Sequence, residues 1–121
     1  MSTVAGRHIE EVEVLVVGTA ARTLTTAENG KRFSSKGATG TVTLTLPPAT
    51  VGLRYGVYVG ATQELRLDPD GTEVMQLPST GANQAAGAYL TANAIGETLD
   101  IVCCEAGVWS VVGSVGTWTA V

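Results

Sequence analysis

The segment Thr41–Leu46 alternates strictly between threonine and an apolar residue, and no other stretch constrains the fold as tightly. Successive side chains of an extended strand point to opposite faces, so Val42, Leu44 and Leu46 share one face and three threonines share the other. β-Branched residues suit a pleated surface that is buried on one side. The dipeptide Pro47–Pro48 follows at once and ends the strand, because it removes two backbone donors. The segment therefore predicts a strand with an apolar inner face.

Similar alternation recurs along the chain in Leu53–Gly60, Gln63–Leu67 and Glu97–Glu105. Turn-forming residues separate these segments at a spacing of roughly ten residues, and helix-period segments are absent apart from a short turn near Ala27. This pattern is typical of all-β proteins, and it predicts a small antiparallel β-sandwich or β-barrel. The acidic, glycine-containing segment Asp68–Glu73 predicts a hairpin turn within that fold. Glu105–Gly107 predicts a three-residue hairpin loop, with its glycine in a left-handed conformation.

The N-terminal part predicts an extended arm. His8–Val17 has strand character, with Val12, Val14 and Val16 on one face, and the glycine-led segment Gly18–Arg22 reads as a hinge. The expected organisation is therefore an arm and hinge over residues 1–22 and a β-sandwich or barrel module over residues 23–121. Because an unpaired strand exposes backbone donors and acceptors, we expect the arm to pair with a neighbouring subunit or another protein by strand addition.

Five apolar residues are the candidates for that interface. Phe33 is the only phenylalanine and lies among polar residues, so it is either a core residue or an anchor for a partner. The other four belong to the arm. The candidate interface residues are Ile9, Val12, Val14, Val16 and Phe33.

The composition favours assembly and argues against nucleic acid. The 121 residues suit one domain, and 45% are hydrophobic while only 15% are charged, against about 25% in ordinary soluble domains. Few charges are available to coat a monomer, which indicates a homo-oligomer or a larger assembly. The net charge is −4, and Lys31, Arg32 and Lys36 form the single basic cluster, which a solvated turn explains. No apolar stretch approaches membrane-spanning length, and no export signal is recognisable at the N-terminus.

No group of residues predicts catalysis, a cofactor or a metal. Cys103 and Cys104 are adjacent, which strains a mutual disulfide, and they lack the spacing of metal-ligand pairs. They are expected to remain reduced thiols. The single histidine, His8, has no identifiable partner, and the glutamates at 10, 11 and 13 are expected to form a charged strand face. The DPDGTE segment lacks the ligand spacing of an EF-hand.

The stretch LTTAENGKRFSSKGATGTVTLTLPPATVGLRYGVYVGA resembles a β-module that recurs in virion proteins of tailed bacteriophages. The matching features are an LTxxxNGKxF segment, a GATGTVTxTLP segment and a VGLRYxxxV strand. The later DPDGTE turn, the AGAYLTANAIGETLDIVC segment and the VWSVVGSVGTW ending fit the same module. The resemblance covers residues 23–121, and such modules occur in capsid decoration proteins, head fibres and tail fibres.

The resemblance implies a structural virion role with no enzymatic activity. The chain shows no coiled coil, no sequence repeats and no fibre shaft, which favours a capsid decoration (cement) protein. Such a protein would bind the major capsid protein on the outer shell as a homotrimer, after assembly in the host cytoplasm. A short head-fibre or tail-tip component with an adhesion role is the alternative. An enzyme such as a glycan hydrolase is a third class, but no carboxylate pair is marked out for it.

Overall fold

In a computed structural model, which describes residues 14–18, 21–78 and 80–121, the chain forms two β-sheets that pack face to face. The expected all-β sandwich is confirmed. One short 3₁₀ turn, Thr26–Glu28, is the single helical element of the described ranges. The strands are β1 (Val14–Val16), β2 (Ala21–Thr23), β3 (Arg32–Ser34), β4 (Val42–Thr45), β5 (Arg54–Tyr58), β6 (Leu65–Asp68), β7 (Val74–Met75), β8 (Leu90–Ala92), β9 (Thr98–Glu105), β10 (Val108–Val115) and β11 (Thr119–Ala120).

The first six strands alternate between the two sheets. Sheet A has the order β1-β3-β5-β9-β10-β7, and sheet B has the order β11-β8-β6-β4-β2. Strands β1, β3 and β5 are parallel in sheet A, and β2, β4 and β6 are parallel in sheet B. Each pair of successive strands therefore forms one coil of a two-layer solenoid, and three coils stack side by side. The sequence predicted antiparallel pairing, whereas the described strands make five parallel and four antiparallel pairs.

The coils stack closely at the corner where the chain leaves sheet A for sheet B. A side chain on Gly60 would lie 2.8 Å from the backbone nitrogen of Lys36 and 2.9 Å from Ser34 Oγ. The same corner buries two serines in hydrogen bonds: Lys36 N–H donates to Ser34 Oγ at 3.1 Å, and Gly60 N–H donates to Ser35 Oγ at 3.0 Å. Glycine is required at position 60 because two backbones meet there.

A short sequence repeat accompanies the stacking of the second and third coils. The tripeptide Gly-Ala-Thr occurs at 37–39 and again at 60–62, an offset of 23 residues. The paired residues Val42 and Leu65 have the same offset, as do Leu44 and Leu67. The coils therefore repeat in structure, although they share only a few residues in sequence.

The alternating segments supply the core as predicted. Val42, Leu44 and Leu46 are buried, whereas Thr41 is exposed and Thr43 and Thr45 are partly exposed. Strands β6 and β9 bury alternate residues in the same way, which confirms the predicted alternation there. Strand β5 buries Tyr55 and Val57 together with the intervening Gly56. The aromatic part of the core is a chain of rings in which Tyr55 lies between Phe33 and Trp109, at centroid distances of 6.4 and 5.8 Å.

The turn at Asp68–Glu73 does not close a hairpin, contrary to the prediction. Strand β6 before it belongs to sheet B, whereas β7 after it belongs to sheet A, so the turn carries the chain across the sandwich. Its last residue stabilises the crossing, because both carboxylate oxygens of Glu73 accept from the Ala49 backbone N–H at 2.9 and 3.1 Å. The hairpin expected at Glu105–Gly107 does form between β9 and β10, where Glu105 pairs with Val108.

The N-terminal segment is integrated into the sandwich from Val14 onward. Strand β1 pairs in parallel with β3 of its own chain, and Val17 is buried in the core. Strand β2 lies across the expected boundary at residue 22 and pairs with β4. The sequence predicted that this segment pairs with a neighbouring subunit or another protein, but for Val14–Val16 the partner is β3 of the same chain.

Candidate interaction surface on the six-stranded sheet

The predicted interface residues divide between the surface and the core. Val14 and Val16 point outward from sheet A and are 55% and 63% exposed. Phe33 is fully buried beneath the same sheet, so the anchor alternative was wrong and the core alternative holds. A phenylalanine at the centre of β3 faces inward because its neighbours Arg32 and Ser34 occupy the outward positions. Ile9 and Val12 lie outside the described residues.

Sheet A presents a row of outward residues that runs across five strands. The register places Val16 beside Ser34, Ser34 beside Tyr58, Tyr58 beside Thr98, and Thr98 beside Val115. Val115 is 59% exposed, and Tyr58 is also exposed. The row therefore places apolar side chains at both ends and an aromatic side chain at its centre.

An irregularity in β10 adds another exposed apolar residue to this face. The pairing of β10 with β9 shifts between Val111 and Gly113, which makes Val112 the extra residue of a β-bulge. Val111 packs against the core, and Val112 points outward with 65% of its surface exposed. Five of the eight exposed large apolar residues in the described ranges thus lie on the outer face of sheet A: Val14, Val16, Tyr58, Val112 and Val115.

A groove of about 370 Å³ lies on the same face, next to the bulge. Its floor is Gly56, where a side chain would collide with the Arg32–Asp100 ion pair: an added Cβ would lie 2.7 Å from Asp100 Oδ1 and 2.8 Å from Arg32 Cζ. Arg32 donates to Asp100 Oδ1 at 2.6 Å. The glycine therefore lets a cation and a carboxylate from two strands meet directly over a third.

The short 3₁₀ turn before β3 positions the basic side of the groove. Thr25 and Glu28 form a capping box, with the Thr25 backbone N–H donating to Glu28 Oε1 at 3.0 Å. Asn29 Oδ1 accepts from the Arg54 backbone N–H at 2.8 Å, which ties this turn to the start of β5. Gly30 follows with a φ of 86°, a conformation that favours glycine.

The lining of the groove is basic in an acidic chain. Lys31, Arg32 and Arg54 line it together with one carboxylate, Asp100. Sequence reasoning assigned Lys31 and Arg32 to a solvated turn, and it gave Arg54 and Asp100 no role. Arg32 and Asp100 are 68 residues apart, so no local spacing could have paired them. The available signal was Gly56, because a glycine within an alternating strand indicates a close approach.

None of the remaining chemical candidates that the structure describes lines the groove. Cys103 is buried and Cys104 exposed, as expected for adjacent strand residues, and burial raises the pKa of the Cys103 thiol. Burial also raises the pKa of Asp68, although the Arg66 charge opposes this shift. His8 and the glutamates at 10, 11 and 13 lie outside the described residues. Within residues 14–18, 21–78 and 80–121, no group of three potential metal ligands occurs.

No protein-family model matches the chain, and no curated protein matches its sequence. The described part of the chain contains no helix long and apolar enough to cross a membrane. The outer face of sheet A is therefore the candidate functional surface, because it combines an apolar, partly aromatic surface with a basic groove.

Proposed function

We propose that this chain is a structural virion protein, a capsid decoration protein that binds the outer shell as a homotrimer and stabilises it. The observation that carries the proposal is the outer face of sheet A, where Val14, Val16, Tyr58, Val112 and Val115 are exposed on one side of the sandwich. Exposed apolar residues gathered on one face are typical of protein interaction sites. The major capsid protein and other copies of this chain are the proposed partners.

The residues of the phage-module resemblance support the proposal through the fold. Leu24 and Phe33 of the LTxxxNGKxF segment are buried, while Asn29 and Gly30 form the turn that joins this segment to β5. The motif residues thus have structural roles, which is what a shared module requires. The role on the virion depends on the surface, because one fold can serve several functions.

The energetics of such a surface suit a permanent attachment. Fully burying a valine side chain contributes about 1.5–3 kcal/mol before ordering costs, and four exposed valines lie on this face. Val112 and Val115 lie on β10, which pairs with β9 and β7, and Val14 and Val16 lie on β1, which pairs with β3. Because these strands are already ordered in the sheet, little backbone entropy is lost on binding.

Electron cryo-microscopy of intact virions tests the location directly. We expect density for this chain on the outer shell, arranged in threes. Density confined to a head fibre or to the tail tip would replace the decoration role with the fibre alternative. Sedimentation equilibrium of the isolated protein is expected to give three chains per particle, and a monomer independent of concentration would contradict the homotrimer.

A pair of matched substitutions tests the surface. Val16→Thr with Val115→Thr exchanges a methyl group for a hydroxyl at two exposed strand positions, and threonine preserves the strand propensity. We expect this double variant to lower capsid occupancy in co-sedimentation. The control, Thr43→Val on the outer face of sheet B, is expected to bind as the unmodified chain does. Equal occupancy for all three proteins would exclude sheet A as the attachment face.

A further inference from the structure

The groove on sheet A combines a basic lining with an apolar wall. Three cationic side chains and one carboxylate line it, so its lining carries a net positive charge in a chain whose net charge is −4. Because Arg32 and Asp100 meet directly over Gly56, the cationic group of Arg32 is held at the centre of the floor. Val102 and Val112 supply an apolar wall on the opposite side.

One segment of this chain has the complementary chemistry. Residues 9–13 read Ile-Glu-Glu-Val-Glu, with three of the eleven acidic residues of the chain inside four positions. The same segment contains two apolar side chains, Ile9 and Val12, that suit the wall formed by Val102 and Val112. The acidic groups of this segment therefore complement the basic side of the groove, and its apolar groups suit the apolar wall.

The chain connection is short enough for this segment to reach the groove. Residue 13 immediately precedes Val14, which pairs with the groove residue Arg32. The floor at Gly56 lies two strands from β1, or about 10 Å at ~4.8 Å per strand. Five extended residues span about 16 Å, which is sufficient. Because the segment is tethered beside the site, its effective concentration there is high.

We propose that the groove on the outer face of sheet A is a binding site for residues 9–13 of the same chain. The glutamates lie against the basic side formed by Lys31, Arg32 and Arg54, and the apolar residues lie against the bulge. The proposal rests on the interaction surface described above, and it predicts that part of this surface is covered by the N-terminal segment in the isolated subunit.

Zero-length carbodiimide cross-linking of the full-length chain tests this arrangement, because the reagent joins a carboxylate to a lysine amine in contact with it. The chain contains only two lysines: Lys31 lines the groove, and Lys36 lies beyond the other end of β3. We expect several-fold more cross-links from glutamates 10, 11 and 13 to Lys31 than to Lys36. They should be lost at about 1 M salt, where the Debye length is ~3 Å.

Two controls make the result decisive. The variant E10Q/E11Q/E13Q removes the reacting carboxylates and should abolish these cross-links. In a mixture of ¹⁴N- and ¹⁵N-labelled chains, the expected products join two parts of one chain and contain a single isotope. Mixed-isotope products would assign the groove to a neighbouring copy and overturn the proposal, as would equal labelling of both lysines. The measurement uses isolated protein, so a failure to bind capsids would leave its outcome unaffected.

Discussion

The two outer faces of the sandwich differ, although the same three coils contribute strands to both sheets. Sheet B presents a row of threonines with one arginine, because the register aligns Thr43, Arg66, Thr91 and Thr119. Sheet A presents valines at its two sides and a glycine-floored groove between them. None of the exposed large apolar residues in the described ranges lies within a strand of sheet B.

The charged groups of the two faces also differ in their surroundings. On sheet B, Arg66 donates to Glu64 at 3.1 Å and lies 4.8 Å from the ring centroid of Tyr89, and Glu64 also accepts from Thr91 Oγ1 at 2.7 Å. Glu64 thus joins Arg66 and Thr91 in one cluster at the surface. On sheet A, the Arg32–Asp100 pair lines an open groove instead. The outer face of sheet B is therefore polar along this row, whereas that of sheet A combines exposed apolar side chains with a groove.

The largest loss of stability is expected for a substitution in the core beneath sheet A. Phe33→Ala removes a fully buried ring that packs on Tyr55, and we expect the free energy of unfolding to fall by about 3–5 kcal/mol. The control, Val16→Ala on the outer side of the neighbouring strand, should change it by less than about 0.5 kcal/mol. Urea denaturation measures both. Similar decreases in the free energy of unfolding for the two variants would contradict the assignment of Phe33 to the inner side and Val16 to the outer side of sheet A.

The two sheet edges provide the next comparison. Deleting Met1–Val17 removes β1 and the buried Val17, and we expect the module to fold with a loss of about 1.5–3 kcal/mol from the valine alone. Deleting Thr119–Val121 removes β11, the edge strand of sheet B, which contains only exposed or partly buried residues. The decrease in the free energy of unfolding, measured by thermal or urea unfolding, should be smaller for this second deletion. The reverse order would show that β1 contributes little to the core.

The groove floor gives an intermediate effect. Gly56→Ala forces the Arg32–Asp100 pair to move, since the new Cβ would lie 2.7 Å from Asp100 Oδ1, and we expect a destabilisation of about 1–3 kcal/mol. Gly113→Ala is the matched control on the adjoining strand, because its Cβ would lie 3.4 Å from Asp100 Oδ2, and the loss there should be clearly smaller. Equal urea midpoints for the two variants would contradict the close approach over Gly56.

The smallest expected effect is the pH dependence of stability that arises from Glu64 on sheet B. The hydrogen bond from Arg66, followed by that from Thr91, lowers the pKa of Glu64 below its ordinary value of 4.5. A carboxylate with a lowered folded pKa contributes stability that is complete above its unfolded pKa and is lost as the pH falls through the folded value. The difference in urea midpoint between the unmodified chain and Glu64→Gln should therefore be small near pH 7 and should disappear below the folded pKa. A difference that persists in acid would exclude the ion pair as its cause.

The sequence predicted the local part of this structure well. Strand alternation has a period of two and needs no knowledge of neighbours, so the alternation in β4, β6 and β9 was predicted correctly from residues such as Leu44 and Ile101. The hairpin at Gly107 was also recognisable, because its left-handed conformation favours glycine.

What the sequence alone determined is thus the all-β class, the parity of the main strands and an excess of apolar over charged residues. Tertiary structure decided the partners: β1 joins β3, the turn at Asp68–Glu73 crosses between sheets, and Arg32 reaches Asp100 over Gly56. The physical reason is that parity depends on adjacent residues, whereas pairing direction and contacts across a sheet depend on segments far apart in the chain. Phe33 shows what the sequence alone leaves open. A single phenylalanine among polar residues is compatible with the core and with an interface, and only the position of β3 between β1 and β5 assigns it to the core.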